Sequence, residues 1–290
     1  MITVLVTGSN GQLGNCIKDL DDGNLNIIYS DYQELNICNL TQVQEFFQSE
    51  GPIHYCINCA AYTAVDNAEK DQEKAFNINV LGAKNLALAC VENDTTLIHI
   101  STDFVFDGKK QNPYTEEDEV NPISVYGETK LKGEIEIQQL LKKYFIIRTS
   151  WLYSEHGTNF LKTMLRLSKE KEELRIINDQ LGTPTYAGDL ALVLFLIVRT
   201  ESQKHGVYHY SNEGVTSWFD FAKAIFEVEN LQIKLNPIPT TSYPTPAKRP
   251  AYSVMDKSKI KRELGIEISS WTESLKLALS NIKKLQTRDV

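Results

Sequence analysis

Short apolar runs alternate with longer segments of helical periodicity through the first half of the chain. Thr3–Thr7, Asn26–Ser30, His54–Asn58, Thr96–Ser101 and Phe145–Thr149 are rich in Val, Ile, Leu and aromatics and predict strands. Gln12–Leu20, Leu40–Glu50, Asp71–Asn93 and Tyr126–Lys143 lie between them with apolar positions at helical spacing. In the third of these, Phe76, Val80, Ala83, Ala87 and Cys90 recur at intervals of four and three, one face of a helix. Strands alternating with helices of this length predict right-handed βαβ units and an α/β fold of Rossmann type, a doubly wound parallel sheet.

The pattern loosens after Thr149. Asn159–Lys169, Ala187–Arg199, Ser217–Glu229 and Ser270–Leu285 predict helices, with short strands at Leu174–Asn178 and Val207–Ser211. Five of the nine prolines fall in residues 237–250, which predicts a rigid irregular loop. Residues 1–150 are expected to form a dinucleotide-binding domain. Residues 151–290 are expected to form a smaller α/β substrate lobe interleaved with it, some segments returning to the first sheet.

Apolar residues make up 42% of the 290 and charged residues 23%, the balance of a globular enzyme and not of a disordered chain. The longest apolar run, Leu190–Val198, is nine residues, too short for a membrane helix, and no cationic segment precedes Ile2–Val6 as in a signal peptide. Together these predict a cytoplasmic protein without a membrane partner. Residues 1–69 carry nine acids and one base, Lys18, and no basic stripe suits a nucleic acid. All seven arginines lie at or beyond Arg148, so a bidentate clamp for an anion must come from the C-terminal half. Cys56 and Cys59 face opposite sides of a predicted strand, and no second C-x-x-C completes a metal site, so both are expected to be packing residues.

Gly8-Ser-Asn-Gly11-Gln-Leu-Gly14 follows the first strand and opens the first helix. This spacing suits a tight turn, a bare backbone against a pyrophosphate, and amides and helix dipole facing the anion. Asp31 ends the second strand, 17 residues after Gly14, where a carboxylate accepts hydrogen bonds from the adenosine ribose. It would also repel a 2′-phosphate, and no Lys or Arg stands between Lys18 and Lys70. NADH is therefore expected over NADPH. Tyr126-Gly-Glu-Thr-Lys130 opens a helix with phenol and ammonium on one face, a pairing that lowers a tyrosine pKa toward a useful range. Thr102 ends the fourth strand at the carboxyl edge, where ligands of open α/β sheets bind, and can bond the same substrate oxygen. A Y-x-x-x-K alone is common by chance; at the same sheet edge as the glycine loop it is specific.

The trio resembles the extended short-chain dehydrogenase/reductase superfamily. Gly11-Gln-Leu-Gly14, Asn58-Cys-Ala-Ala-Tyr-Thr-Ala-Val-Asp66, Ser101-Thr-Asp-Phe-Val-Phe-Asp-Gly108, Tyr126–Lys130, Arg148-Thr-Ser-Trp151, Asp179-Gln-Leu-Gly-Thr-Pro-Thr185 and Arg249-Pro250 resemble, in order over nearly the whole chain, the dTDP-4-dehydrorhamnose reductase family. The resemblance implies reduction of the 4-keto group of a dTDP-6-deoxy-hexulose, hydride passing from the nicotinamide to the carbonyl carbon. It implies Tyr126 as proton donor, Lys130 on the nicotinamide ribose and Thr102 orienting the carbonyl. It also implies Gly8, Gly11, Gln12, Leu13, Gly14, Asp31, Ala60, Ala61 and Tyr62 at the cofactor. Val65, Asp103, Trp151 and Asn159 would border the sugar nucleotide, and Arg249, flanked by prolines, is the candidate for its diphosphate. Trp151 in the core or an interface and Arg249 on the surface remain open alternatives.

Some members of that family hold magnesium at a dimer interface through an acid two residues after the glycine loop and an acidic pair before the long mid-chain helix. Here those positions are Cys16 and Gly188-Asp189. One carboxylate is too few for a hard cation, so no structural metal is expected, and the chain is expected to be a monomer or a metal-independent homodimer. Another nucleotide-sugar reductase or epimerase of the same superfamily is the rival reading. So is a non-catalytic subunit resembling the regulatory β-subunit of methionine adenosyltransferase.

Overall fold

The computed structural model describes residues 1–288. Strands β1 (Thr3–Thr7), β2 (Asn26–Ser30), β3 (Tyr55–Asn58), β4 (Thr96–Thr102) and β5 (Tyr144–Thr149) alternate with helices α1 (Gln12–Asp19), α2 (Leu40–Glu50), α3 (Ala83–Glu92) and α4 (Val125–Leu140). The second half adds α5 (Phe160–Glu170), β6 (Glu173–Ile177), α6 (Ala187–Arg199), β7 (Gly206–His209), α7 (Trp218–Val228), β8 (Lys234–Ile238), α8 (Ser258–Leu264) and α9 (Trp271–Arg288).

The main sheet runs β7-β5-β4-β3-β1-β2, every pair parallel. Alternation along each strand sends neighbouring side chains to opposite faces. Val4, Val6, Ile57 and Ile147 pack under α1 and α6, while Leu5, Cys56, Leu97 and Ile146 pack under α2, α3 and α4. Cys59 sits against the first of these cores and Cys56 inside the second, and all five cysteines are free thiols. The chain leaves β1 toward β2 and returns to β3 on the other side, so the strand order reverses at the β1/β3 crevice, where ligands of open α/β sheets bind. A separate core joins α5, β6, α7, β8 and α9 around Leu161, Ile176, Phe221 and Leu275. Strand β7 and helix α6, late in the chain, belong to the first layer.

Three local expectations are corrected. Asp71–Asn93 is not one helix: it forms Gln72–Phe76, a π-helical turn at Asn77–Gly82, then α3. The wider turn shifts the register, leaving Phe76 38% exposed while Val80, Ala83, Ala87 and Cys90 are buried. The proline-rich stretch begins inside a strand, since Pro237 lies in β8. β8 pairs only with β6, and a proline is tolerated on such an edge. Helix α8, Ser258–Leu264, lies where no element was expected.

Candidate active site

The glycine loop joins β1 to α1 at the crevice. Gly8 has φ +65°, and a Cβ there would stand 2.6 Å from Ala60 N. A Cβ on Gly14 would lie 2.5 Å from the Ser9 backbone. Loop, strand end and helix thus approach more closely than any side chain allows. Gly11 is the N-cap of α1 and offers no side-chain cap, which leaves first-turn amides such as those of Gln12 and Leu13 for an anion. Gly8, Gly11, Asp31, Ala60 and Ala61 line one cavity of about 400 Å³. Its shape and donors fit the dinucleotide: bare backbone and helix dipole for the pyrophosphate, a carboxylate beyond. Asp31 accepts from Asn10 N–H at 2.9 Å and Tyr32 N–H at 2.7 Å. Leu13 is a core residue beneath the loop.

The adjoining cavity, about 630 Å³, shares Tyr32, Asn36, Cys38 and Ile78 with the first and carries Lys70 and Lys74. Asp71 and Glu73 line the same cavity, so its two bases are matched by two acids.

Asn79, in the π-helical turn, ties the Ala60–Tyr62 loop to α4. Its Oδ1 accepts from Tyr62 N–H at 2.8 Å, and its Nδ2 donates to Tyr62 O and to Thr129 Oγ1 at 3.0 Å. Helix α4 begins at Ser124, whose hydroxyl accepts from Gly127 N–H, and Glu69 accepts from Val125 N–H. A Cβ on Gly127 would lie 2.2 Å from Phe104 O, so glycine here lets the first turn of α4 press onto the end of β4. That contact brings Tyr126 beside Thr102, its ring edge-on to Phe104 at 5.5 Å. Burial, with a smaller push from the Asp103 charge and a counter-pull from the Thr102 hydroxyl, raises the Tyr126 pKa to about 12. The phenol therefore carries its proton. Lys130, 2% exposed, donates to Ile100 O at 2.7 Å. Burial lowers its pKa to about 8 against the pull of Glu134 and Cys59.

Thr102 Oγ1 donates to Asp103 Oδ1 at 3.1 Å and accepts from Phe104 N–H. Asp103 is 1% exposed, and besides Thr102 the Ser253 hydroxyl lies close enough to stabilise its carboxylate. Its burial raises the pKa to about 6.

Trp151 has φ +47°, a conformation that side chains other than glycine rarely adopt. Its indole stacks on Trp218 at 3.6 Å, with Gly182 against its edge. Val65 opens a short helical turn, Val65–Ala68. Two expectations change. Asn159 caps α5, accepting from Lys162 N–H, while its amide donates to Gln12 Oε1 at 2.7 Å and to Ser154 O. Its amide is committed within the protein, and it straps the glycine loop to the second lobe. Arg249 donates from both terminal nitrogens to Asp66 and also to Thr245 Oγ1 at 2.6 Å. The guanidinium is thus engaged by Asp66 rather than free for a diphosphate, and that ion pair holds the Asp66 carboxyl below its usual range.

The positions at which the resemblance would place a metal, Cys16 and Gly188-Asp189, do not fit one here. Burial keeps the Cys16 thiol protonated, and Asp189 accepts from Asn212 Nδ2 at 2.6 Å and from Ser274. A different group, Asp19, Glu155 and His156, has donor atoms within 4.8 Å of one another beside Cys16. Glu155 and His156 are neighbours, but Asp19 stands 136 residues before them, and spacing gave no sign of the group.

Residues the sequence did not single out complete the site. Glu134 and Arg148 form a buried bidentate pair under α4, and His99 touches Lys130 from β4. The available signal was a histidine or an arginine inside an otherwise apolar strand, at His99 and Arg148; Glu134 gave none on its charged helix.

A glycine-rich strand–turn–helix and a Thr102–Tyr126–Lys130 constellation at one sheet edge define an extended short-chain dehydrogenase/reductase, an NAD(P)-dependent oxidoreductase. The family model described as RmlD substrate binding domain matches residues 2–284. A dTDP-4-dehydrorhamnose reductase of Aggregatibacter actinomycetemcomitans is 43% identical over 289 residues, covering 95% of this chain and 98% of that protein. A structure of the Clostridium acetobutylicum dTDP-4-dehydrorhamnose reductase matches with TM-score 0.94 and 43% identity over 97% of this chain and 100% of that one. That of the Bacillus anthracis reductase, in complex with NADP, matches with TM-score 0.93 and 41% identity over the same shares. The chain belongs to the dTDP-4-dehydrorhamnose reductase family. Among the described residues no helix is long and apolar enough to cross a membrane.

Proposed function

We propose that the protein reduces the 4-keto group of dTDP-4-dehydro-L-rhamnose to give dTDP-L-rhamnose. The observation that carries this reading is Tyr126, Lys130 and Thr102 gathered at the sheet edge that the glycine loop also reaches. When bound, the reduced dinucleotide supplies hydride to the carbonyl carbon. Tyr126 donates the proton to the carbonyl oxygen, and its raised pKa keeps that proton in place until charge develops. Lys130 holds the nicotinamide ribose and stabilises the tyrosinate left behind. Thr102 turns its hydroxyl from Asp103 Oδ1 to the carbonyl oxygen and so orients it. Ala60, Ala61 and Tyr62 border the cofactor; Val65 and Trp151 border the sugar. Residues 1–150 with the returning α6 and β7 serve the cofactor, and the remainder serves the substrate.

The assay is loss of NADH absorbance with the ketosugar generated in situ from dTDP-glucose. Rapid loss with a rhamnose nucleotide as product is expected, at a rate EDTA leaves unchanged, because a phenol and an ammonium carry this proton transfer without a metal. No turnover would refute the reading.

NADH is the preferred reductant in this proposal, because Asp31 lines the same cavity as the glycine loop and its carboxylate would repel a 2′-phosphate. Repulsion of ~1 kcal/mol across a wet groove raises KM for NADPH about fivefold. Equal KM values, or a lower one for NADPH, would show that Lys70 and Lys74 offset the carboxylate. Five free thiols suit a reducing compartment and support assignment to the cytoplasm, as a monomer or a homodimer without a bridging metal.

A further inference from the structure

Strand β4 reads Thr-Leu-Ile-His-Ile-Ser-Thr, with one histidine in an apolar run. His99 is 1% exposed and neutral, burial first and then the Lys130 charge holding its pKa well below the usual value. Its Nδ1 lies 3.0 Å from Asn58 Nδ2, and its Nε2 lies 3.2 Å from Lys130 Nζ. The partners beyond Asn58 decide which ring nitrogen carries the proton. Ala60 N–H donates to Asn58 Oδ1 at 3.1 Å, and the Thr7 hydroxyl donates to the same oxygen at 2.8 Å. A main-chain N–H can only donate, so the carboxamide oxygen is fixed toward Ala60 and its NH₂ faces the ring. Nδ1 therefore accepts, and the single proton of the neutral imidazole sits on Nε2, directed at Nζ.

We infer that His99 is a positioning residue that sets the proton affinity of Lys130, presenting an N–H donor to an amine that must otherwise be an ammonium. The amine form of Nζ accepts from Nε2–H while donating to Ile100 O; the ammonium form meets a donor with a donor. The other groups acting on Nζ are Glu134 on α4 itself and the Cys59 thiol after β3. Burial keeps the Cys59 thiol protonated, and Glu134 is held by Arg148 and Ser101. The same row of hydrogen bonds starts at Ala60, whose backbone closes on Gly8, so the cofactor loop and the catalytic lysine share one network.

The kinetic part of this inference rests on the proposed reductase activity; the tautomer does not. Long-range ¹⁵N NMR of the wild-type histidine rings, His99 being the signal lost in His99→Gln, is expected to show the Nε2–H tautomer. An Nδ1–H tautomer would overturn the inference whether or not the ketosugar is a substrate. In His99→Gln a carbonyl oxygen can face Nζ and favour its ammonium. The alkaline limb of kcat, where Lys130 loses its proton, then moves up by about one pH unit. A lowered kcat with an unmoved limb shows a merely structural role and overturns it too. If His99→Gln does not fold, single-histidine replacements at His54, His156, His205 and His209 assign the wild-type signal by elimination, and its tautomer decides.

Discussion

Tyr126→Phe is expected to lower kcat by about 10²–10⁴-fold, the range general acid catalysis contributes, while NADH affinity stays within twofold. The variant removes only the hydroxyl. The ring keeps its edge-on contact with Phe104, and Gly127 still lets α4 close on β4, so the position of Lys130 is unchanged. The proton lost is one the fold holds firmly: burial and the nearby Asp103 charge outweigh the Thr102 hydroxyl and keep the phenol neutral. Water replaces it poorly, because Thr102, Asp103 and Lys130 around the phenol are buried and Lys130 donates to Ile100 O. Stopped-flow turnover and fluorescence titration with NADH separate the two effects. Wild-type turnover in Tyr126→Phe would remove the phenol from the chemistry.

Arg148→Ala is expected to destabilise the protein by about 3–5 kcal/mol, the loss typical when one partner of a buried ion pair is deleted. Arg148 donates from Nε and a terminal nitrogen to both oxygens of Glu134, and the Glu134 side chain is fully buried. Ser101 donates to the same carboxylate. His209, beside the guanidinium, is a poor substitute, since its own burial disfavours the charged imidazolium. The Ala variant therefore leaves a carboxylate in the protein interior with the Ser101 hydroxyl as its one remaining hydrogen-bond partner and Lys130 as the nearby cation. Glu134 stands one turn beyond Lys130, so the same change loosens the floor of the catalytic helix. Urea denaturation measures the loss. A change under about 1 kcal/mol would mean that water reaches Glu134. Removing both charges with Arg148→Met and Glu134→Leu is expected to recover most of the stability, because the cost lies in the orphaned charge.

How much of this was legible depends on how far apart the interacting residues stand. The sheet was, since each strand carries its own period-two pattern and each helix its own stripe. So was the meeting of Thr102, Tyr126 and Lys130 at one sheet edge, because Tyr126 and Lys130 are one helical turn apart and Thr102 ends a readable strand. The break at Asn77–Gly82 was not, because the π-helical turn exists to aim Asn79 at Tyr62 and Thr129, partners 17 and 50 residues away. Strand β8 was masked by Pro237, which only a two-stranded edge accommodates. Arg249 read as a free cation until the fold brought Asp66 to it across 183 residues, and Asn159 as a ligand until it met Gln12 across 147. Composition and spacing carry local chemistry well. They carry pairings across the crevice hardly at all, and those pairings decide which charged groups a substrate finds unengaged.

A crystal structure with oxidised dinucleotide and dTDP-L-rhamnose bound gives the most direct measurement. The expected result is the Tyr126 hydroxyl about 2.6–3.2 Å from the sugar O4 and the Lys130 ammonium within reach of the nicotinamide ribose. A sugar O4 and nicotinamide bound elsewhere, with Tyr126 and Lys130 touching neither, would contradict it.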